Sequence, residues 1–392
     1  MDIILCVTGS VAAIEAVKLA RAFKREGVNV KCFMSDAACN IIHPNSMEFA
    51  TGEDVVLDIT GKIEHVKYSQ ADLVLVAPAT ANVMSKFAYK IADNLINTLL
   101  VTAHGHNTPI VFVPSMHDSM FKSIKDNIEK VKNEGATIIP PKMEEGKAKF
   151  PNLEDIILES IRMINLNSFD DDGNCLADLK GKKIIVSAGG TYEPIDPIRG
   201  ITNRSSGKMG IEVAKEAYRR GGDVTLLAAR VDVPIPNCIK TIRTYTSENM
   251  SDECAKLVKN SDILVAAAAV SDFIPVSMNK TKIDSCFKLN LELKPTDKII
   301  RKMKKLNPDI FLIGFKAEYD IPKEELINSA KKQITDTCTN LVVANDVSLP
   351  GAGFTHDTNK VILVDDEIQE LPLTSKTNVS SIILNNAIKK MK

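Results

Sequence analysis

Two short segments place glycine and hydroxyl-bearing residues where an apolar strand pattern meets a helical pattern. Residues 8–10 (Thr-Gly-Ser) follow the apolar run 3–7, and residues 205–207 (Ser-Ser-Gly) come just before a helical pattern at 209–220. Small residues in such a position leave backbone N–H groups free at the positive end of a helix, which suits a phosphate group. The sequence therefore predicts two phosphate-binding loops, one in each half of the chain.

Neither loop has the glycine spacing of a standard nucleotide-binding motif. Residues 8–13 contain a single glycine and lack G-x-G-x-x-G, so they favour a mononucleotide over NAD. An NAD-dependent dehydrogenase remains an alternative, because Asp36 follows the second strand and has the chemistry of a ribose ligand. Lys208 follows a glycine without the spacing G-x-x-x-x-G-K, and so the second loop is not a P-loop.

The strands that must position these loops are nearly all apolar rather than alternating. They are predicted at 3–7, 28–34, 73–76 and 110–113 and again at 182–186, 224–227 and 263–267. A helix is predicted after the first strand of each half, at 11–25 and at 209–220. Apolar strands of this kind are typical of a parallel sheet with helices on both faces. We therefore predict an α/β protein with two doubly wound, Rossmann-like domains and mostly parallel sheets.

The length of 392 residues fits two domains better than one. A polar segment at 166–180, which contains Asp-Asp-Asp-Gly-Asn at 170–174, separates the two strand patterns and is the predicted linker. The predicted domains are therefore 1–165 and 181–392. In such domains the ligand binds beyond the carboxyl ends of the strands, at the point where the strand order reverses.

Charge and cysteine content indicate which kinds of molecule the protein binds and in which compartment it is found. Lysine and arginine total 49 against 50 acidic residues, a formal net charge of -1, which offers no basic field for nucleic acid or an anionic membrane. The eight cysteines form no C-x-x-C pair and are typical of reduced cytosolic thiols. The N-terminus has no basic leader, and no apolar run approaches the ~20 residues that cross a bilayer. We predict a cytoplasmic protein that binds small molecules and copies of itself.

Two loops of the first half resemble a known family. Residues 77–82 (Ala-Pro-Ala-Thr-Ala-Asn) and 114–120 (Pro-Ser-Met-His-Asp-Ser-Met), with His65 upstream, are similar to the homo-oligomeric flavin-containing cysteine decarboxylases. The resemblance implies a flavodoxin-like flavoprotein domain. It also implies that FMN is bound by Gly9, Ser10, Ser35, Thr80, Asn82, Ser115 and Met116.

The same resemblance implies the catalytic residues of a decarboxylase. Oxidation of the substrate thiol by FMN supplies the electron sink that loss of CO2 requires. His65 matches the family's active-site histidine, a base near neutrality that assists this oxidation. His117 stands where the family usually has asparagine, and its imidazole can hydrogen-bond a substrate carboxylate. Segment 140–149 lacks the cysteine with which bacterial relatives protonate the enethiolate intermediate, so another acid supplies that proton or the segment works differently.

The second half resembles the phosphopantothenate-cysteine ligases. The match begins with residues 189–210 and continues through 267–273, 280–282, 294–297, 314–318 and 343–347. In bacterial members, the phosphopantothenate carboxylate attacks CTP to give an acyl-cytidylate, from which the cysteine amine displaces CMP. Because two anions must meet, lysine and a metal ion are needed to neutralise their repulsion.

The ligase resemblance assigns roles to individual residues. Asn203 helps to form or consume the acyl-cytidylate, Lys282 binds the triphosphate, and Asp272 holds Mg2+ or the nucleotide. Phe315 borders the base, and Lys331 contacts phosphate. The other implied nucleotide-binding residues are Ser205, Ser206, Gly207, Ala266, Ala267, Ala268, Thr296 and Asp297. The alternatives are that the lysines only solvate a charged surface and that the alanine run only packs a buried strand.

Together the resemblances imply a bifunctional enzyme that makes 4'-phosphopantetheine from 4'-phosphopantothenate, cysteine and CTP, using FMN and Mg2+. A flavin prenyltransferase would share the first domain but not the second. The competing hypothesis is an active ligase fused to a regulatory flavoprotein domain without decarboxylase activity. The resemblance also implies a homo-oligomer of trimeric flavin domains and dimeric ligase domains, such as a dodecamer. A preference for CTP over ATP does not follow from the sequence.

Overall fold

A computed structural model of the chain describes residues 1–286 and 288–391. The chain divides into two compact units, the first at Met1–Leu176 and the second beginning at Ala177. This division falls within the predicted linker, whose first two residues belong to a helix that ends at Asn167. Over the described ranges, every helix is too short or too polar to cross a membrane.

The first unit alternates strands and helices along most of its length. Its strands are β1 (Asp2–Val7), β2 (Asn29–Met34), β3 (Leu73–Ala79), β4 (Ile110–Pro114), β5 (Met116–His117), β6 (Thr137–Ile138), β7 (Lys142–Glu144) and β8 (Lys147–Lys149). Its helices are α1 (Ala16–Arg25), α2 (Asp36–Cys39), α3 (Pro44–Thr51), α4 (Glu64–Lys67), α5 (Ala81–Ala88), α6 (Leu95–Gly105), α7 (Asp118–Ser123), α8 (Lys125–Asn133) and α9 (Leu153–Asn167).

The main sheet of the first unit has the order β2-β1-β3-β4-β6, and all of its pairs are parallel. This is the flavodoxin-like order, in which the direction of winding reverses between β1 and β3. A small antiparallel sheet, β5-β8-β7, lies apart from it. The predicted doubly wound architecture is therefore confirmed for this unit.

Burial explains why the strands are continuously apolar. Along β1, Ile3, Leu5 and Val7 belong to one buried cluster, whereas Ile4 and Cys6 belong to another. Alternate side chains of a strand point to opposite faces of the sheet, so both faces of β1 are covered by helices. Every residue of β3 is buried in the same way.

The first predicted helix differs from the observed one. The pattern at 11–25 predicts a single helix, but the structure has a 3-10 turn at Val11–Glu15 followed by α1. The turn begins at Ser10, whose carbonyl accepts from Ala13 N at 2.8 Å. Short 3-10 turns are common where a helix begins, because they satisfy the first unpaired N–H groups.

The second unit repeats the strand–helix alternation. Its strands are β9 (Lys183–Ala188), β10 (Tyr192–Pro194), β11 (Gly200–Thr202), β12 (Asp223–Ala228), β13 (Lys240–Arg243), β14 (Ile263–Ala266), β15 (Phe273–Pro275), β16 (Leu293–Pro295), β17 (Phe311–Glu318), β18 (Leu341–Asp346), β19 (Thr358–Val364) and β20 (Ile368–Ser375). Its helices are α10 (Lys208–Arg219), α11 (Ser247–Val258), α12 (Ile299–Leu306), α13 (Lys323–Thr337) and α14 (Lys376–Met391).

The large sheet of the second unit has the order β13-β12-β9-β14-β17-β18-β19-β20. It is parallel from β13 to β18, and β19 and β20 extend it in antiparallel fashion. The parallel part has the Rossmann order, with its reversal between β9 and β14. Two antiparallel ribbons, β10–β11 and β15–β16, project from the loops that follow these two strands.

Candidate functional sites

The first unit has a cavity of about 670 Å³ at the reversal between β1 and β3. The residues that the decarboxylase resemblance implies for FMN all line it, and so does His117. They are Gly9, Ser10, Ser35, Thr80, Asn82, Ser115 and Met116. The carboxyl ends of parallel strands bring these distant loops to one edge of the sheet.

Five residues that begin helices line this cavity. Ser10 accepts from Ala12 N at 3.4 Å, Ser35 from Ala38 N at 3.2 Å, and Thr80 from Val83 N at 3.4 Å. Asn94 accepts from Asn97 N at 3.0 Å, and His117 Nδ1 accepts from Ser119 N at 3.3 Å, at the start of α6 and α7. The positive ends of several helices therefore converge on one space.

This convergence tests whether the site fits FMN. No lysine or arginine lines the cavity within the described part of the chain. The helix N-termini must therefore compensate the charge of a phosphate. Apolar side chains complete the wall, which suits a flat and largely apolar ring system. They are Val83, Ile96, Met116 and Met120. The residues present fit a flavin mononucleotide.

Sequence reasoning missed two polar residues of this cavity, Asn94 and Asn97, and gave no individual role to Thr8 of the predicted loop 8–10. Thr8 Oγ1 donates to Pro78 O at 2.7 Å and so ties the loop after β1 to the loop after β3. Asn97 is buried, and its amide donates to Val83 O. Asn94 had a detectable signal, since an asparagine before an apolar helical pattern is a typical helix cap.

His65 lies elsewhere in the first unit. It is on the short helix α4 and does not line the cavity, although its Nδ1 is buried without a hydrogen-bond partner among residues 1–286 and 288–391. Its neighbour Glu64 is anchored by Thr60, whose hydroxyl and backbone N–H both donate to the carboxylate. The Thr60 hydroxyl lowers the pKa of Glu64 to about 2. The structure thus places His65 outside the cavity, on a short helix whose first residue, Glu64, is hydrogen-bonded to Thr60.

Segment 140–149, which contains no cysteine, includes the hairpin β7–β8. This hairpin pairs with β5 so that Met116 lies opposite Ala148 and His117 lies opposite Lys147. Lys149 forms ion pairs with Glu144 and Glu145. The hairpin is therefore attached to a strand that lines the first cavity.

The second unit has a cavity of about 760 Å³ at the reversal between β9 and β14. Eleven of the residues that the ligase resemblance implies line it. They are Asn203, Ser205, Ser206, Gly207, Ala266, Ala267, Ala268, Asp272, Thr296, Asp297 and Phe315. Asn203 Nδ2 donates to Ala269 O at 3.0 Å, which leaves the amide oxygen of Asn203 free to accept.

Lys282 and Lys331 do not line this cavity. Five residues of α13 line it, with the i, i+3, i+4, i+7 and i+8 spacing of one helix face: Ser329, Lys332, Gln333, Asp336 and Thr337. Lys331 is one residue off that face, and the structure places Lys332 there instead. Lys282 lies in the loop between β15 and β16.

The charge of the second cavity suits a polyphosphate. Seven cationic residues line it: Arg204, Lys208, Lys298, Arg301, Lys316, Lys332 and Lys376. Three carboxylate residues face them: Asp272, Asp297 and Asp336. An excess of cations in a partly closed space attracts a highly charged anion. The positive potential of the first cavity comes from helix N-termini, whereas that of the second comes from lysine and arginine side chains.

Residues 205–207, the predicted phosphate-binding loop of this cavity, have little room for a larger side chain at Gly207. Gly207 has a φ of +78°, and a Cβ there would lie 2.5 Å from Val231 Cγ1. Ser206 Oγ donates to Phe354 O at 2.5 Å, which joins this loop to the segment before β19. Lys376, at the start of α14, donates to the carbonyls of three residues of that segment: Gly353, Phe354 and His356. Burial, followed by the nearby Lys208, lowers the pKa of Lys376 to about 8.

Asp272, the predicted metal ligand, lines the second cavity. Its carboxylate accepts from Lys298 Nζ at 2.5 Å. No cluster of three or more histidine, cysteine, aspartate or glutamate residues is present in the ranges that the structure describes. Mg2+ in nucleotide sites commonly uses one or two carboxylates together with substrate phosphates and water. Asp272 fits a Mg2+ ion that enters with the nucleotide.

The fold and the two cavities define the class: two consecutive doubly wound domains, each with a cavity at its own strand reversal. The family model described as Flavoprotein matches residues 1–165, and the DNA/pantothenate metabolism flavoprotein C-terminal domain matches residues 179–391.

Two curated proteins are similar to this chain over most of its length. The coenzyme A biosynthesis bifunctional protein CoaBC of Thermococcus kodakarensis is 45% identical over 390 residues, which cover 96% of this chain and 92% of that protein. The CoaBC protein of Methanocaldococcus jannaschii is 39% identical over 348 residues, covering 88% and 83%. A crystal structure of a CoaBC C-terminal domain is 29% identical, covers 55% of this chain and 98% of its own, and has a TM-score of 0.47.

The chain therefore belongs to the family of coenzyme A biosynthesis bifunctional proteins. The two resemblances seen in the sequence together imply this family, and that prediction is confirmed.

Proposed function

We propose that this chain makes 4'-phosphopantetheine in two steps. The second unit ligates 4'-phosphopantothenate to cysteine at the expense of CTP, and the first unit decarboxylates the product. The observation that carries this proposal is the pair of separate cavities, one with converging helix N-termini and one with excess cationic charge, in a chain of the CoaBC family.

The second cavity supports the ligation. The substrate carboxylate attacks the α-phosphorus of CTP and expels pyrophosphate, and the cysteine amine then displaces CMP to form the amide and release a proton. The cationic lining reduces the repulsion between the two anions. The amide oxygen of Asn203 can accept a hydrogen bond from the attacking amine, and Asp272 would hold a Mg2+ ion that further neutralises the nucleotide.

The first cavity supports the decarboxylation. FMN in this cavity would supply a two-electron oxidant for the substrate thiol, which creates an electron sink for the departing CO2, and the reduced flavin would return the two electrons to the product. The helix N-termini would hold its phosphate, and the apolar wall would exclude water. Because His117 Nδ1 accepts the capping hydrogen bond, a neutral His117 ring carries its proton on Nε2 and can donate it to the substrate carboxylate.

A homo-oligomer completes the first site in this proposal. His65 lies outside the cavity of its own chain, and its Nδ1 is buried with no hydrogen-bond partner in the part of the chain that the structure describes. A neighbouring copy that contributes its His65 to the cavity would supply the base for thiol oxidation. We propose trimeric flavin units and dimeric ligase units, and a cytoplasmic location that suits eight free cysteines.

Product analysis tests the proposal. The FMN-loaded chain is incubated with 4'-phosphopantothenate, cysteine, Mg2+ and either CTP or ATP, and the products are identified by mass spectrometry. We expect 4'-phosphopantetheine with release of CMP and pyrophosphate. Accumulation of 4'-phosphopantothenoylcysteine alone would favour the ligase with an inactive flavoprotein domain. Absence of both products would refute the proposal.

A further inference from the structure

One face of the small sheet β5-β8-β7 is rich in charged side chains and continues from the rim of the first cavity. Directly opposite residues of antiparallel strands place their side chains on the same face. His117 of β5 lies opposite Lys147 of β8, and Lys147 in turn lies opposite Glu144 of β7. Lys142 and Lys149 form the pair two residues along, on the same face. Because His117 lines the first cavity, this charged face begins at the cavity.

The carboxylates of the hairpin β7–β8 are paired with two of its three lysines. Glu144 forms ion pairs with Lys142 at 3.4 Å and with Lys149 at 3.2 Å. Glu145, in the turn of the hairpin, forms an ion pair with Lys149 at 2.9 Å. Hydrogen bonds from Lys149 hold the pKa of both glutamates below the ordinary value, so both carboxylates stay ionised. The charges of Lys142 and Lys149 are therefore largely compensated within the hairpin.

Lys147 differs from the other two lysines of the hairpin. It is exposed, and in the part of the chain that the structure describes it forms no ion pair. Its backbone is held on both sides, because β8 is the central strand of the sheet. A lysine whose backbone is fixed loses less conformational entropy on binding an anion than a lysine on a free loop. The ammonium of Lys147 is therefore available to an anionic ligand.

The substrate proposed for the first cavity brings a negative charge that the product lacks. Its carboxylate leaves as CO2, whereas its phosphate is present in substrate and product alike. We have assigned the carboxylate to the Nε2–H of His117, whose Nδ1 accepts from Ser119 N at 3.3 Å. Lys147 lies directly opposite His117 and adds a positive charge beside it. A hydrogen bond between an ammonium and a carboxylate is about twice as strong as one between neutral groups.

We propose that Lys147 is a specificity-determining residue of the first unit, which binds the substrate carboxylate together with His117 and so favours the acid over its decarboxylated product. This inference rests on the decarboxylation proposed above. The contact exists before CO2 leaves and is lost with it. Lys147 therefore contributes to binding of the substrate and to release of the product, and does not accelerate the chemical step.

Calorimetric titration of the FMN-loaded, full-length chain tests this preference without turnover. Two ligands carry a hydroxyl in place of the oxidisable thiol. The first, 4'-phosphopantothenoylserine, keeps the carboxylate, and the second, 4'-phosphopantothenoylethanolamine, lacks it. We expect Lys147→Gln to weaken binding of the serine compound about five- to tenfold, because an exposed charge-assisted contact is lost. Binding of the ethanolamine compound should not change.

Two further variants control for effects on the hairpin itself. Lys142→Gln removes a lysine of the same hairpin whose ammonium is paired with Glu144, and it should bind both compounds as the wild type does. Lys147→Arg keeps the charge and should retain the wild-type preference. Equal weakening of both compounds by Lys147→Gln would assign Lys147 to the phosphate and overturn the proposal. Unchanged binding of the serine compound would overturn it as well.

Steady-state kinetics extend the test to the reaction. Lys147→Gln should raise the KM for 4'-phosphopantothenoylcysteine about five- to tenfold with an unchanged kcat, and high salt should reduce this difference from the wild type. A lower kcat with an unchanged KM would place Lys147 in the chemical step and overturn the proposal. A wild-type chain that binds the serine compound but forms no 4'-phosphopantetheine would refute the proposed decarboxylation, while the ligand preference still decides the role of Lys147.

Discussion

At the scale of single residues, space and capping decide what each loop can bind. Gly9 packs so closely against α2 that a Cβ at this position would lie 2.4 Å from Ala37 Cβ. Ser10 and Ser35, which flank this contact, cap the helices that point at the cavity. One methyl group at Gly9 would therefore separate the two helix ends that we assign to the FMN phosphate.

Gly9→Ala is expected to lose FMN. The added methyl group must push α2 away, which moves Ser35 and weakens phosphate binding. Flavin absorbance per chain after purification measures the loss, and we expect less than about a tenth of the wild-type content. Gly61→Ala is the control, since nothing lies within 4 Å of a Cβ there and Gly61 has no positive φ. A Gly9→Ala protein with full flavin content would contradict this account.

His65→Asn should separate the two activities. Loss of a general base typically lowers a rate by about 10² to 10⁴, so decarboxylation should fall by that factor while ligation continues. The product assay should then show 4'-phosphopantothenoylcysteine. His106→Asn changes an exposed histidine of the same unit and should leave both rates unaltered. Wild-type decarboxylation by His65→Asn would remove this histidine from the mechanism.

At the scale of elements, α14 and the segment before β19 form one side of the second cavity. Lys376 begins α14 and donates to three carbonyls of the segment, while Lys208 at the start of α10 donates to Thr355 O and to Asp357. The protonated ammonium of Lys376 has three N–H donors, and the neutral amine has two. The hydrogen bonding that holds the segment before β19 against α14 therefore depends on the charge of Lys376.

The affinity for Mg·CTP should fall as the pH rises through about 8, where Lys376 loses its proton. Loss of one hydrogen bond to the segment is expected to weaken binding about three- to tenfold. Isothermal titration calorimetry measures this change, and Lys376→Arg should give a flat profile because arginine stays charged. Equal pH profiles in the two proteins would show that another group titrates.

Loss of stability would not explain such a fall in affinity. The pKa of Lys376 is lowered in the folded chain, while the unfolded chain keeps this proton up to about its ordinary value of 10.5. Between these values the unfolded state binds more protons, so the contribution of Lys376 to the free energy of unfolding rises with pH. Thermal melting across the same range checks this direction.

At the scale of the whole molecule, each unit has its own sheet, its own strand reversal and its own cavity. The residues assigned to ligation all lie in the second unit, and those assigned to decarboxylation all lie in the first. The chemistry therefore requires no cavity that combines residues of both units. The two reactions should be separable on full-length chains.

A mixture of two variants, each of which lacks one of the two activities, should carry out the complete reaction. His65→Asn provides ligation, and Asn203→Ala provides decarboxylation, so together they should form 4'-phosphopantetheine through the free intermediate. The rate of the mixture should depend on the concentration of both proteins, because the intermediate must diffuse between them. Failure of the mixture, when each variant keeps its remaining activity, would show that the intermediate does not exchange.

Local sequence patterns were sufficient for the α/β architecture and for the loops 8–10 and 205–207, and the two family resemblances supplied most of the other predicted cavity residues. Apolar strands such as β3 and the loops after them are adjacent in sequence, and parallel strands bring their carboxyl ends to one edge. A loop residue such as Ser206 could therefore be assigned to a cavity from its place before a helix, whereas Thr80 was assigned through the family resemblance. The exact start of α1 was not predictable in this way, because a 3-10 turn and an α-helix share the same short-range pattern.

Only the tertiary structure decided which side chains of an element reach a site and which distant residues hold it. One step along a helix rotates a side chain by about 100°, and packing sets which face looks inward, so Lys332 rather than Lys331 lines the second cavity. Hydrogen bonds between residues far apart in sequence, such as Asp196 with Ile283 and Lys376 with Phe354, have no local signature. The sequence by itself determined where several strands lie along the chain and which loops follow them, because these depend on neighbouring residues. The rotation of helices and the long-range polar contacts depend on the packed molecule as a whole.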